Sequence, residues 1–120
     1  MQPKTDRVIR ILPHPARLRV CWRGQIIADT TGALILHEGS YPAVHYIPRA
    51  DIDMTMLKKT ATVTSCPFKG EAVYFSLHSD DATSPDVAWS YEKPFPNVGQ
   101  ISGHLAFDAK TVEFIENNTP

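Results

Sequence analysis

Thr64-Ser65-Cys66-Pro67-Phe68-Lys69-Gly70-Glu71 runs directly into Ala72-Val73-Tyr74-Phe75-Ser76-Leu77. The first half is a turn that carries a thiol, an ammonium group and a glycine. The second alternates, with Val73, Phe75 and Leu77 on one face and Ala72, Tyr74 and Ser76 on the other, the period of a β-strand. A site, if there is one, lies where this turn meets its neighbours.

The flanking chain has the same character. Arg17-Leu18-Arg19-Val20-Cys21-Trp22 alternates cationic and apolar residues, Arg23-Gly24 makes a two-residue turn, and Gln25-Ile26-Ile27-Ala28-Asp29 returns. That hairpin sets Val20 opposite Ile27 and Cys21 opposite Ile26, which points Cys21 into aliphatic packing. Ala33–Glu38 is a third short strand, and residues 41–51 form an ordered loop or edge segment. Residues 52–62 fit either a helical turn or a strand. Ser79–Asp86 reads as a loop before the alternating Val87-Ala88-Trp89-Ser90-Tyr91, and Asn97 as the cap of a short helix ending near Gln100 or Ile101. Residues 103–108 and 112–116 close the chain as a last hairpin.

The 120 residues suffice for one domain with its own core, with 1–13 as an extended N-terminal segment and 117–120 as a loose tail. Ten prolines leave no room for long helices. We therefore expect an all-β fold of compact antiparallel sheets (sandwich, tent or partly open barrel) with at most one or two short helical turns. Twelve Lys and Arg against thirteen Asp and Glu argue against a nucleic-acid partner. No 18-residue apolar run suggests a membrane span, and two cysteines make no disulfide framework. The expectation is a cytoplasmic protein.

Tyr41-Pro42, Tyr46-Ile47-Pro48-Arg49, Cys66-Pro67-Phe68-Lys69-Gly70, Trp89-Ser90-Tyr91 and Gly103-His104-Leu105-Ala106-Phe107 occur here in a recognisable order. The chain resembles, over about residues 14–116, the uncharacterised and mostly bacterial domain of unknown function 427 family. The resemblance implies a compact all-β domain. A nucleotidyltransferase-type label has been attached to that family, and such chemistry calls for a Gly-Ser followed by a metal-holding Asp-x-Asp. We take His78-Ser79-Asp80-Asp81 as the nearest approach.

Three functions follow from the side chains. The first is a small-molecule binding site for an anionic or planar metabolite, in a pocket around Arg49, Cys66 and Lys69. Arg49 and Lys69 would hold its charge, Tyr46, Tyr74, Trp89 and Tyr91 would wall it, and Glu71 would balance the cations. The second is an enzyme using Cys66 or Lys69 as nucleophile or acid–base group, with His104 or His45 as base. The third is a structural domain whose exposed sheet edge pairs with a twin in a homodimer. No Cys-x-x-Cys, His-x-His or His-x-x-x-His spacing points to a metal, and no motif names a cofactor.

Overall fold

The computed structural model describes residues 8–117; of the two expected end segments, Ile9–Pro13 and Asn117 lie in strands, and residues 1–7 and 118–120 fall outside the described residues. Within it the chain is all-β. It forms the strands β1 (Ile9–Pro13), β2 (Arg17–Trp22), β3 (Gln25–Thr30), β4 (Leu34–Glu38), β5 (Val44–Tyr46) and β6 (Leu57–Cys66). The strands β7 (Gly70–Ser79), β8 (Ala82–Tyr91), β9 (Ala106–Phe107) and β10 (Glu113–Asn117) complete it. Helix is confined to three short 3₁₀ segments, Arg49–Asp51, Met54–Met56 and Pro96–Ile101, one beyond the expected pair. No helix is long and apolar enough to cross a membrane.

The strands form three antiparallel sheets, β1-β4-β5, β10-β2-β3 and β6-β7-β8-β9. The quoted stretch is the hairpin β6–β7, and β7 lies between β6 and β8. Both of its faces are covered, as its alternation requires. Phe75 and Leu77 join Leu18, Val20, Trp22 and Ile27 in one core, against the β2–β3 hairpin. Ala72 and Tyr74 join Leu36, Tyr46, Tyr91 and Ala106 in a second, against β1-β4-β5. Reciprocal backbone bonds between Ile47 and Leu105, 2.8 and 2.9 Å, tie β1-β4-β5 to the four-stranded sheet.

Several local expectations are corrected. Arg23 and Gly24 do turn β2 into β3, with φ of 52° and 80°, the left-handed pair that a two-residue hairpin loop uses. Cys21 faces Ile26 as expected, but an irregularity shifts Val20 opposite Ala28. Leu18, Val20 and Trp22 take the inward phase of β2, so Cys21 is only half-buried and its partner Ile26 is exposed. Residues 52–62 hold both alternatives, a 3₁₀ turn and then β6.

Ser79–Asp86 is not a loop: it makes a tight turn into β8, whose first residues pair with Leu77, His78 and Ser79. Polar composition misleads here because the first half of β8, residues 82–86, is largely solvated although it pairs with the part-buried end of β7. Pro85, which cannot donate to a ladder, is accommodated where the register shifts. Next to it Asp86, at φ 51°, accepts from the hydroxyls of Thr60 (2.6 Å) and Thr62 (2.7 Å), which stitches the β8 irregularity to a matching one in β6. The last 3₁₀ segment starts at Pro96 with Phe95 as its cap, so Asn97 lies inside it. Finally, β9 and β10 are no hairpin, because β9 pairs with β8 and β10 with β2.

Candidate functional site

The turn between β6 and β7 places the first two site residues. Cys66 pairs with Gly70 across the hairpin mouth. Gly70 has φ of +119°, and Phe95 donates its N–H to the Lys69 carbonyl at 2.9 Å. A side chain at Gly70 would force an L residue into a conformation it rarely adopts and bring its Cβ to 3.5 Å from the Pro94 backbone. We expect Gly70→Ala to cost about 1–3 kcal/mol, read as a lower urea midpoint with unchanged slope.

That turn aims Lys69 inward. Its Nζ lies 2.6 Å from Glu38 Oε1, each side chain being 11 % exposed, and 3.6 Å from Cys66 Sγ. The ammonium also stands 5.9 Å from the Tyr91 ring centroid, within cation–π range. The pair forms one end of a cavity of about 270 Å³ that is otherwise lined by Leu36, Tyr41, Pro42, Val44, Tyr46, Tyr74, Trp89 and Tyr91. Tyr74 and Trp89 face each other across β7 and β8 with ring centroids 6.3 Å apart. Tyr41, 57 % exposed, stands at the lip. A second cavity of about 460 Å³ shares Tyr41, Pro42, Val44 and Trp89, so a groove continues past the indole.

The phenols report how dry this end is. Burial pushes the Tyr46 hydroxyl up to about 12; a hydrogen bond with Trp89 opposes the shift, and the nearby Glu38 and Cys66 add to it. Burial likewise drives Tyr91 upward, helped by Tyr46 and Cys66.

Of the residues singled out from sequence, Tyr46, Lys69, Tyr74, Trp89 and Tyr91 line one cavity, with Cys66 beside Lys69. Arg49 is not among them. It donates to the Gly103 carbonyl (3.1 Å), Ser90 Oγ (3.3 Å) and Glu92 Oε2 (2.5 Å), and lies over the Phe75 ring. Ser90 alternates with Trp89 and Tyr91 along β8, so its hydroxyl and the guanidinium occupy the opposite side of the sheet. Burial opposes ionisation of Glu92, but hydrogen bonds from Arg49 and Ser90 win and hold its carboxyl below the usual range. Glu71, in phase with Val73, is exposed and lines a separate shallow hollow with Lys59 and Glu92. His104 bonds the Ser102 carbonyl through Nδ1 at 3.1 Å and is not among the lining residues. The gathering of guanidinium, ammonium and thiol around one hollow therefore does not occur. Lys69 lines the cavity with the Cys66 thiol beside its ammonium, and Arg49 clamps loops on the other face.

Glu38 is the residue the sequence reading missed. Its signal was present: Leu34, Leu36 and Glu38 share one phase of β4, and a carboxylate at an inward position requires a buried partner. A second omission concerns the Gly-Ser and Asp-x-Asp elements. They are present as Gly39-Ser40 and Asp51-Ile52-Asp53, with ten residues between, whereas Asp80-Asp81 is merely the β7–β8 turn. Both carboxylates have structural partners. Asp51 accepts from Thr30 Oγ1 at 2.7 Å, and Asp53 caps the next 3₁₀ turn through the Thr55 N–H and hydroxyl.

The family described as Domain of unknown function (DUF427) matches residues 10–118. The chain belongs to this family. All the motifs that carried the resemblance fall within that span, and four of them, around Tyr41, Tyr46, Lys69 and Trp89, supply walls of the cavity. No curated protein matches the chain.

Proposed function

We propose that this member of the domain of unknown function 427 family binds a small planar metabolite in the cavity between β4–β5 and β7–β8. The observation that carries the reading is the Lys69–Glu38 pair, largely desolvated in a hollow whose other walls are aromatic and aliphatic. Sites for small molecules combine apolar and aromatic walls with a few convergent polar groups. Here a donor and an acceptor stand side by side, the pattern that meets the edge of an amide or a nitrogen heterocycle. Because Glu38 balances Lys69 and Arg49 lies elsewhere, the site favours a neutral or dipolar ligand over a strongly anionic one. At about 270 Å³ the cavity takes a single ring system, and substituents would run past Trp89 into the adjoining groove.

Tryptophan fluorescence tests this. The chain has two tryptophans, and Trp22 is 2 % exposed in the other core, so Trp22→Phe leaves Trp89 as the reporter. Titrating that variant with a panel of amide-bearing heteroaromatics is expected to give saturable quenching with some of them. Tyr74→Ala is expected to weaken those by roughly tenfold, the loss of one aromatic contact. A panel that never saturates, or affinities unmoved by Tyr74→Ala, overturns the reading.

One observation favours an enzyme instead: the 3.6 Å approach of Lys69 Nζ to Cys66 Sγ, since neighbouring cations activate thiols. Iodoacetamide decides between the two. Alkylation of Cys66 no faster than that of Cys21 supports binding alone, and a markedly faster rate supports a nucleophile. A cytoplasmic location fits both readings.

A further inference from the structure

His14, His45 and Glu116 are far apart in sequence, and their spacing matches no metal motif. Folding brings them together: one ligand atom from each lies within 4.8 Å of the others. His14 follows β1, His45 is the middle residue of β5, and Glu116 lies on β10, so the cluster joins two sheets. Glu116 pairs with Leu18 on the side of β10 that also carries Phe114, which faces Val20. It is thus a carboxylate on the core-facing phase of its strand.

The geometry prepares the two imidazoles. The His14 side chain is 3 % exposed, with Nε2 at 2.7 Å from Glu116 Oε2. Its Nδ1 is 2.8 Å from the Ala16 carbonyl, and the Ala16 N–H is 3.1 Å from the same nitrogen. With Nδ1–H donating to that carbonyl, the Nε2 lone pair faces a carboxylate, and a cation must sit between them, either a proton or a metal ion. A carbonyl holding the far ring nitrogen is also how ligating histidines are oriented. In the other tautomer, Nδ1 accepts from Ala16 N–H and Nε2–H donates to Glu116; a metal would displace that proton. His45 Nε2 lies 4.0 Å from Glu116 Oε2, its ring held between those of Phe114 (5.2 Å) and His14 (5.4 Å).

We propose that His14 Nε2, His45 Nε2 and a Glu116 carboxylate oxygen bind a divalent transition ion of the zinc class, with the fourth position open to solvent. Two imidazoles and one carboxylate suit zinc. Ligands about 2.0–2.2 Å from a tetrahedral ion stand roughly 3.3–3.5 Å apart. The 2.7 Å gap therefore opens and the 4.0 Å gap closes by less than an ångström each, which rotation of the half-exposed Glu116 side chain supplies. The two imidazoles, within 4.8 Å of each other, close by up to about 1.5 Å through rotation of the part-exposed His45 ring. The open side faces water because that side chain is 47 % exposed. His45 and Phe114 also line the groove that continues from the aromatic cavity past Trp89, so the two sites adjoin. The metal proposal stands on its own observations and does not need the ligand reading.

The test is titration of the chelator-treated full chain with zinc alone by calorimetry, and with cobalt(II) by visible absorption. One zinc per chain is expected, with cobalt d–d bands and no thiolate charge-transfer band. Glu116→Gln and His45→Ala are each expected to weaken zinc by at least about tenfold, while His104→Ala changes nothing. Glu116→Gln keeps its shape at a half-exposed position, so its result holds even if His45→Ala lowers stability. Absence of saturable binding, a cobalt–thiolate band, or unchanged affinity in Glu116→Gln overturns the proposal.

Discussion

Lys69→Met is expected to cost the folded state about 3–5 kcal/mol, because it leaves the Glu38 carboxylate in a dry site without its counter-charge. The two heads are 2.6 Å apart and each side chain is only 11 % exposed, so water cannot take over the missing role. Glu38→Leu alone is expected to cost a similar amount by stranding the ammonium. Lys69→Met combined with Glu38→Leu is expected to recover most of that loss, since apolar residues of similar volume often replace a buried pair with little net change. Urea denaturation of the four proteins closes the cycle. A loss below about 1 kcal/mol in Lys69→Met would mean that the pair behaves like a surface one. The double variant also separates architecture from function: it folds, and it no longer offers a ligand its polar end.

Tyr46→Ala is the second large effect. Tyr46 is 1 % exposed and forms the floor of the cavity, so truncation removes a whole ring from the core of Leu36, Ala72 and Tyr91. The expected loss is about 3–5 kcal/mol. Tyr46→Phe keeps the ring and is expected to cost about 1 kcal/mol for the hydroxyl's hydrogen bond. The same residue gives a pH dependence. Its hydroxyl has an ordinary value of 10.0 and reaches about 12 in the folded state, so the unfolded chain releases the proton first. Its contribution is fully present below pH 10 and is lost as pH rises toward 12. In Tyr46→Phe that part of the alkaline decline is expected to disappear from melting curves taken across this range. Identical alkaline decline in both proteins would show that Tyr46 is not the dry phenol described.

How much of this was legible beforehand differs by element. The alternation of 72–77 and of 17–22 states which faces are buried, and period two survives folding because side chains must point to one face or the other. The irregularities were not legible. Pro85 and Asp86 read as loop residues because composition cannot show that Thr60 and Thr62, two strands away on β6, complete a bulge there. The site was half legible for the same reason. Tyr74, Trp89 and Tyr91 lie on adjacent strands whose phase follows from the sequence, and Lys69 on the turn that opens the first of them. Arg49 comes from a segment without periodicity, and only the tertiary fold decides which side of the sheet it reaches. Glu38 announced itself as an inward carboxylate, but its partner across 31 residues did not. The His14–His45–Glu116 cluster depends on two sheets meeting, and no local pattern records that.

Methyl-resolved NMR tests the central assignment most directly. With Leu and Val methyls labelled and the tightest heteroaromatic from the fluorescence panel added, the aromatic cavity predicts the largest shifts at Leu36 and Val44, which line it. Leu18, Val20 and Leu77, in the core on the other side of the four-stranded sheet, should barely move. Shifts concentrated at Val73 beside Glu71 and Glu92, or spread evenly over both cores, would contradict a binding site built on Lys69, Glu38 and the aromatic wall.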